Sequence, residues 1–310
     1  MEPAVTQTPN NASHEPIIET IGVTQSLEKS NTAVRHVQTT INYYKDPEDG
    51  SPPIPAVIGK PETFAPSIEP VPVTITDITG SEDNFTLDGN GFRLVNHESK
   101  LKTLEDFPDD LVKEVYYPET CKLIKEITGA SAATVFDHFV RHPASPLNLG
   151  PVRLAHIDQH YAAPTNRVRH HFPAEHPYLL QCRHQIINLW RPIKPIYRDP
   201  LAVADARTVP DEDLVAVPLI YPDRKGGEWG TFSVKRGEEG RHKWYYKYGQ
   251  RPEQAMVFKC FDSKVDGRAR RSPHCAFVGP GTEGLAVRES VEVRVLVFYF
   301  DEGLSRGLAQ

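Results

Sequence analysis

Val287-Arg-Glu-Ser-Val-Glu-Val-Arg-Val-Leu-Val-Phe-Tyr-Phe300 alternates so regularly that a β-strand is the element that can use it. Successive side chains of a strand point to opposite faces. Positions 291, 293, 295 and 297 are all valine, while the opposite face carries Arg288, Ser290, Glu292 and Arg294, then Leu296, Phe298 and Phe300. One face is a packing surface. The other passes from polar to apolar along its length, as the inside of a ligand-holding barrel would. Seven more short segments follow residue 150, each bounded by Gly, Pro, Asp or Asn: Val152–Gln159, Gln185–Trp190, Leu214–Tyr221, Trp229–Lys235, Lys243–Tyr248, Ala255–Phe261 and Cys275–Val278. Eight such runs in about 150 residues indicate a mainly β chain built as an antiparallel sandwich or barrel.

Helices are expected to flank this β region and to pack on one outer face. Asp109-Asp110-Leu-Val-Lys-Glu-Val-Tyr begins with acidic residues, which suits the positive end of a helix dipole. Pro118 is expected to divide it from a second piece, Glu119 to Ile127, capped by Gly129. A third helix is expected over Ala133 to Arg141. Eleven of the 28 prolines lie in the first 75 residues. Residues 1–35 read as a flexible polar arm. The stretch from Thr39 to Pro72 reads as an extended segment on the surface of one domain covering 36–310.

Composition excludes several functions. A formal charge of −6 argues against a nucleic-acid binder driven by bulk charge. No apolar run reaches the ~18 residues of a membrane span, and the first residues lack the basic and apolar parts of a secretory signal. The four cysteines are scattered, as expected of reduced thiols in a cytoplasmic protein.

The chemistry rests with the 13 histidines. There is no HEXXH site, and no close cysteine pair for a zinc finger. The pattern His-x-Asp/Glu occurs once, at His156-Ile157-Asp158, although roughly two matches are expected by chance from such a composition. On a strand, His156 and Asp158 project to one face and can supply two adjacent ligands; a buried, mutually satisfied His–Asp pair fits the same residues. His274 lies after a loop at the start of a short apolar strand and is the candidate third ligand. Arg288 and Ser290 share a strand face, and their guanidinium and hydroxyl would suit a carboxylate. Glu292, on the same face, is the alternative internal partner.

The order HxD, distant His, then RxS over eight strands resembles the iron(II)/2-oxoglutarate-dependent oxygenases, whose core is a double-stranded β-helix of the jelly-roll or cupin-like kind. More narrowly, the chain resembles a fungal secondary-metabolite hydroxylase/desaturase family related to gibberellin desaturases and to a cephalosporin methoxylation subunit. The stretches that carry the resemblance are His156-Ile-Asp-Gln159, Asn188-Leu-Trp-Arg-Pro192, Trp244-Tyr-Tyr246, Phe258-Lys-Cys-Phe-Asp-Ser263, Pro273-His-Cys-Ala-Phe277 and Arg288-Glu-Ser-Val-Glu-Val-Arg294. The resemblance implies iron ligation by His156, Asp158 and His274. It also implies 2-oxoglutarate as cosubstrate, O2 as oxidant, and Arg288 with Ser290 at the far carboxylate, leaving open whether Arg288 or Arg294 is the main anchor. The implied reaction removes hydrogen from a small metabolite in hydroxylation, desaturation or oxidative cyclisation, with an amino-acid or peptide-derived substrate suggested by the related families.

Several residues keep two readings. Asn188 either bonds a cosubstrate carboxylate or is structural beside a core Trp190. Trp190, Tyr245 and Phe277 either line a substrate pocket or pack the core, and Arg191, of opposite parity, is expected in an outer-face salt bridge. The basic stretches Arg167–His171 and Lys264–Arg271 are either a positive mouth or solvated loops. The expected partner is a small-molecule substrate, with neither nucleic acid nor membrane engaged and a homodimer left open. Two rival functions share the same pattern: an isopenicillin N synthase-like oxidase that uses no 2-oxoglutarate, and a non-catalytic barrel serving as a binding or assembly subunit.

Overall fold

A computed structural model describes residues 35–64, 66–143, 150–223 and 227–303. The arm expected over residues 1–35 lies, but for its last residue, outside them. The strands are β1 (Val37–Tyr44), β2 (Ala56–Val57), β3 (Ile68–Asp77), β4 (Phe92–Asn96), β5 (Ala132–Arg141), β6 (His156–Ile157), β7 (Cys182–Pro192), β8 (Leu201–Ala204), β9 (Leu214–Ile220), β10 (Gly230–Val234), β11 (Trp244–Tyr246), β12 (Gln254–Asp262), β13 (His274–Ala276) and β14 (Ser290–Gly303). They form a nine-stranded sheet, ordered β1-β3-β11-β8-β13-β6-β10-β9-β2, and a five-stranded sheet, ordered β4-β12-β7-β14-β5. The two sheets are the double-stranded β-helix that the sequence resemblance implies.

Side-chain parity sorts the core into three layers. Between the sheets, Ile186, Trp190, Phe258, Leu296 and Phe298 of the smaller sheet meet Ile157, Val203 and Phe232 of the larger one. On the outer face of the smaller sheet, Val291, Val293, Val295 and Val297 pack against Val112, Tyr116, Leu123 and Ile124 of the helical segment. The four valines are thus the packing face, and Ser290, Glu292 and Arg294 belong to the interior. A third cluster covers the outer face of the larger sheet, where Ile41, Tyr43 and Ile75 pack over Ala155, Ala202, Val234, Trp244 and Cys275. Bridges from Asn42 to Leu154 and from Tyr44 to Lys235 tie β1 back across that face. Pro70 and Pro72 sit two apart in the part of β3 that pairs with β1 alone, so the donors they lack fall on one open edge.

The helical segment runs through α1 (Asp109–Leu111), a π-helical turn (Val112–Tyr116) and α2 (Tyr117–Thr128). Pro118 does not divide it. The proline occupies the first turn of α2 directly after the wider π turn, where its missing N–H and its ring are tolerated. Gly129 ends the helix at φ 72°, donating its N–H to the Lys125 carbonyl. Two short helices, α3 (Ala163–His171) and α4 (His176–Leu179), follow β6.

The third helix expected over Ala133 to Arg141 is instead strand β5, paired antiparallel along β14. Its run of apolar residues has no clear period, and the β-branched and aromatic Val135, Phe136, Phe139 and Val140 satisfy a sheet edge. This edge brings Arg141, Phe139 and Asp137 opposite Ser290, Glu292 and Arg294.

Candidate metal centre

The two histidines of the motif are cross-strand neighbours. β6 lies between β13 and β10, and His274 is in register with His156. Their rings stand 4.4 Å apart between centroids. The extended segment expected over Val152–Gln159 is reduced to a two-residue strand, after which the chain bends at Asp158. The bend still carries Asp158 back to the same face. Its Oδ1 lies 3.6 Å from His156 Nε2 and 3.9 Å from His274 Nε2. One ligand atom from each of the three residues falls within 4.8 Å of the others.

The hydrogen bonds fix which nitrogens are available. His156 Nδ1 is 2.7 Å from the Leu154 carbonyl, and His274 Nδ1 is 3.2 Å from the Ser272 carbonyl. A carbonyl only accepts, so each Nδ1 carries the proton and each Nε2 is left with a lone pair facing Asp158. Burial, reinforced by His274, pulls the His156 pKa down to about 4, and burial lowers that of His274. Both rings are therefore neutral at physiological pH, the form in which an imidazole can ligate a metal. The carbonyl that orients His274 is itself placed by Ser272, whose N–H donates to the Lys259 carbonyl and whose hydroxyl donates to the Ala204 carbonyl. Phe258 packs on the His274 ring at 4.4 Å.

Asp158 is held from the other sheet. Its Oδ2 accepts from Asn188 Nδ2 at 2.7 Å and from Arg294 Nε at 2.9 Å. Burial works to raise the Asp158 pKa, but Arg294 and the two imidazoles outweigh it and hold the carboxyl below its usual range.

Arg288 and Ser290 are both buried. Arg288 Nη1 donates to the Asp199 carbonyl at 2.9 Å, yet its Nε and the Ser290 hydroxyl have no partner in the interior. Asp199 presents that carbonyl at φ 52°, the one positive φ outside glycine among the described residues, and Arg153 holds its carboxylate at 2.9 Å. Buried polar atoms are rarely left unmatched. Two neighbouring donors without acceptors fit a carboxylate, and two imidazoles with one carboxylate fit iron(II).

The structure separates the other candidates. Arg294 directs its guanidinium to Asp158, Asp137 and Glu292, in contrast to the unpartnered Nε of Arg288. Asn188 is placed on Asp158 and not beside Arg288 and Ser290. Trp190 faces the interior, with Arg288 5.5 Å from its ring. Tyr245 also borders the interior layer, beside Phe85 and Phe92.

Phe277 does not join them. It packs edge-on to Tyr246 in the outer cluster, because an odd offset from His274 points it through the sheet. Arg191 lies on the outer face as expected, but its donors go to the Tyr116 hydroxyl and to the His97 and Pro252 carbonyls. The basic stretch before His274 is extensively paired: Lys264 with Glu302, Arg268 with Asp266 and Asp88, and Arg271 with Asp211. Arg167 is buried against Trp229 and Tyr221.

Comparison with known proteins agrees with this geometry. A family model described as an oxidoreductase/YMDC permease-like domain matches residues 41–298. No helix among the described residues is long and apolar enough to cross a membrane. The hydroxylase/desaturase efuI of Hormonema carpetanum is 37% identical over 292 residues, covering 86% of this chain and 96% of that protein. The alpha-ketoglutarate-dependent dioxygenase tstK of Talaromyces stipitatus is 33% identical, covering 84% of this chain and 97% of its own length. Among solved structures, the iron and alpha-ketoglutarate-dependent endoperoxidase NvfI superposes with a TM-score of 0.76 at 27% identity, over 86% of this chain and 99% of that one. The chain belongs to the fungal iron(II)/2-oxoglutarate-dependent oxygenases of the hydroxylase/desaturase kind.

Proposed function

We propose that His156, Asp158 and His274 hold a single iron(II) ion and that Arg288 and Ser290 hold the far carboxylate of 2-oxoglutarate. The observation that carries this reading is the pairing of two features in one interior. Two Nε2 lone pairs and a carboxylate oxygen converge, and a buried guanidinium and hydroxyl nearby lack an anion. With both groups bound, iron(II), 2-oxoglutarate and O2 supply the oxidising power that removes a hydrogen atom from a substrate C–H bond, with succinate and CO2 as coproducts.

The residues contribute position and enclosure. Leu154 and Ser272 fix the imidazole tautomers, Phe258 shields one face of His274, and Trp190 lies under Arg288. The substrate is a small metabolite, and the half-buried residues of β5 beside Ser290, Glu292 and Arg294 form the side on which it would be met. The alpha-ketoglutarate dependence in the names of the relatives favours this reading over an oxidase that needs no 2-oxoglutarate, and over a binding protein.

Anaerobic calorimetry tests it. Iron(II) is expected to bind in a 1:1 ratio, and 2-oxoglutarate is expected to bind the metal-loaded protein but not His274→Ala. Binding of 2-oxoglutarate that ignores the metal, or its absence from the loaded wild type, overturns the assignment.

A further inference from the structure

We propose that Arg294 and Asn188 are positioning residues that pin Oδ2 of Asp158, so that Asp158 offers the metal Oδ1 alone. The proposal rests on the metal reading above and assigns two residues a task which that reading leaves open.

The placement follows from sheet register. β14 runs antiparallel to β7, and Arg294 is the direct partner of Asn188. Both lie on the interior face, opposite β6, so the two donors cross from the smaller sheet to an acceptor carried by the larger one. They converge on one atom: Asn188 Nδ2 at 2.7 Å and Arg294 Nε at 2.9 Å from Oδ2. The other oxygen faces the two imidazoles. A carboxylate oxygen has two lone-pair sites, and two donors fill them. Oδ2 is thereby withdrawn from coordination.

The guanidinium is itself over-determined. Nη1 lies 3.1 Å from Asp137 and Nη2 3.5 Å from Glu292, and the group stands 4.7 Å from the Phe139 ring centre. A planar fork in contact with three carboxylates and an aromatic face cannot be reproduced by an ammonium. Asn188 points the same way. Its Oδ1 is buried without a partner, so the amide bears an unmatched acceptor while its Nδ2 serves Asp158. A residue present only for packing would be apolar.

Titration of the apoprotein with cobalt(II) tests this, read by calorimetry and by the visible spectrum of the bound ion, alongside apoprotein melting. Arg294→Met and Asn188→Leu are each expected to weaken cobalt(II) binding by roughly 10–100-fold, the usual effect of losing a group that orients a ligand. The cobalt(II) spectrum is expected to change with them, because Asp158 is freed to use either or both oxygens. Arg294→Lys is expected not to restore wild-type affinity.

If Arg294→Met fails to fold, Asn188→Leu carries the same test from the other donor. Folded variants that keep wild-type affinity and spectrum overturn the proposal, even if they melt earlier, since a purely structural ion pair would do only that. Failure of the wild type to bind cobalt(II) would sink the metal reading and is distinguishable from failure of the clamp.

Discussion

Replacing Arg288 by methionine is expected to stabilise the apoprotein while removing the response of the metal-loaded protein to 2-oxoglutarate. Arg288 is about 6% exposed, and burial, assisted by the charge of Arg141, pulls its pKa down to about 10, with Asp199 and Glu292 opposing only in part. The ordinary value is 12.5, and each pH unit of displacement corresponds to about 1.4 kcal/mol. Holding this cation in the interior without an anion therefore costs on the order of 3 kcal/mol. The sign is that of a base lowered on folding: the cost is fully present at every pH below 10 and disappears only above it. Methionine keeps much of the volume and removes the charge, but it leaves the Asp199 carbonyl without its donor, a loss of about 1–2 kcal/mol. The balance is a gain of roughly 1–2 kcal/mol, or about 2–4 °C in melting temperature for a chain of this size.

In wild type loaded with manganese(II), 2-oxoglutarate at a hundred times its Kd is expected to add about 2.7 kcal/mol, and in the variant nothing. Thermal melts of both apoproteins, and of both manganese-loaded proteins with and without the cosubstrate, give the six numbers required. An Arg288→Met variant whose apoprotein melts below wild type and whose manganese-loaded form still responds to 2-oxoglutarate would refute both the desolvation argument and the assignment of the anchor.

Asp262→Asn strikes a buried ionic cluster. Lys259 and Asp262 are fully enclosed, and Asp262 accepts from Lys259 and Arg183 at 2.8 Å and from Gln185 at 2.6 Å; the substitution is expected to lose about 3–5 kcal/mol at pH 7 in urea unfolding. Burial alone would raise the Asp262 pKa, but Arg183 and Lys259 prevail and hold it low. Its contribution is thus present above the unfolded carboxylate pKa of about 3.9 and falls as pH drops below it, so the gap between variant and wild type should narrow at acid pH. Gly230→Ala would set a methyl 2.2 Å from His160 Cδ2 and 2.5 Å from the Val217 carbonyl. Because that backbone cannot yield and His160 follows Asp158 by two residues, lower melting and weaker cobalt(II) binding are expected together; retention of both would show that the strand shifts freely.

What the sequence disclosed and what it hid follow one rule: parity along a strand is local, whereas partnership between sheets is not. The alternation in β14 separates four outward valines from Ser290, Glu292 and Arg294, and the same counting puts His274 inside. Applied one step further it would have removed Phe277 from the pocket, since an odd offset from His274 sends it outward. Parity has nothing to read in β8, whose four residues are buried without alternation between β11 and β13, or in β5, where the apolar residues follow no period. Nor can it say what Asn188 touches. Its Nδ2 meets a carboxylate 30 positions earlier only because β7 and β6 face each other across the interior. Arg288 and Arg294 look alike in the sequence, both inward on one strand. They diverge because the bend after β6 delivers Asp158 to the level of Arg294 and leaves Arg288 opposite a backbone carbonyl. The guanidinium that finds a carboxylate within the chain becomes part of the protein's own framework, and the one that does not remains available to an anion from outside.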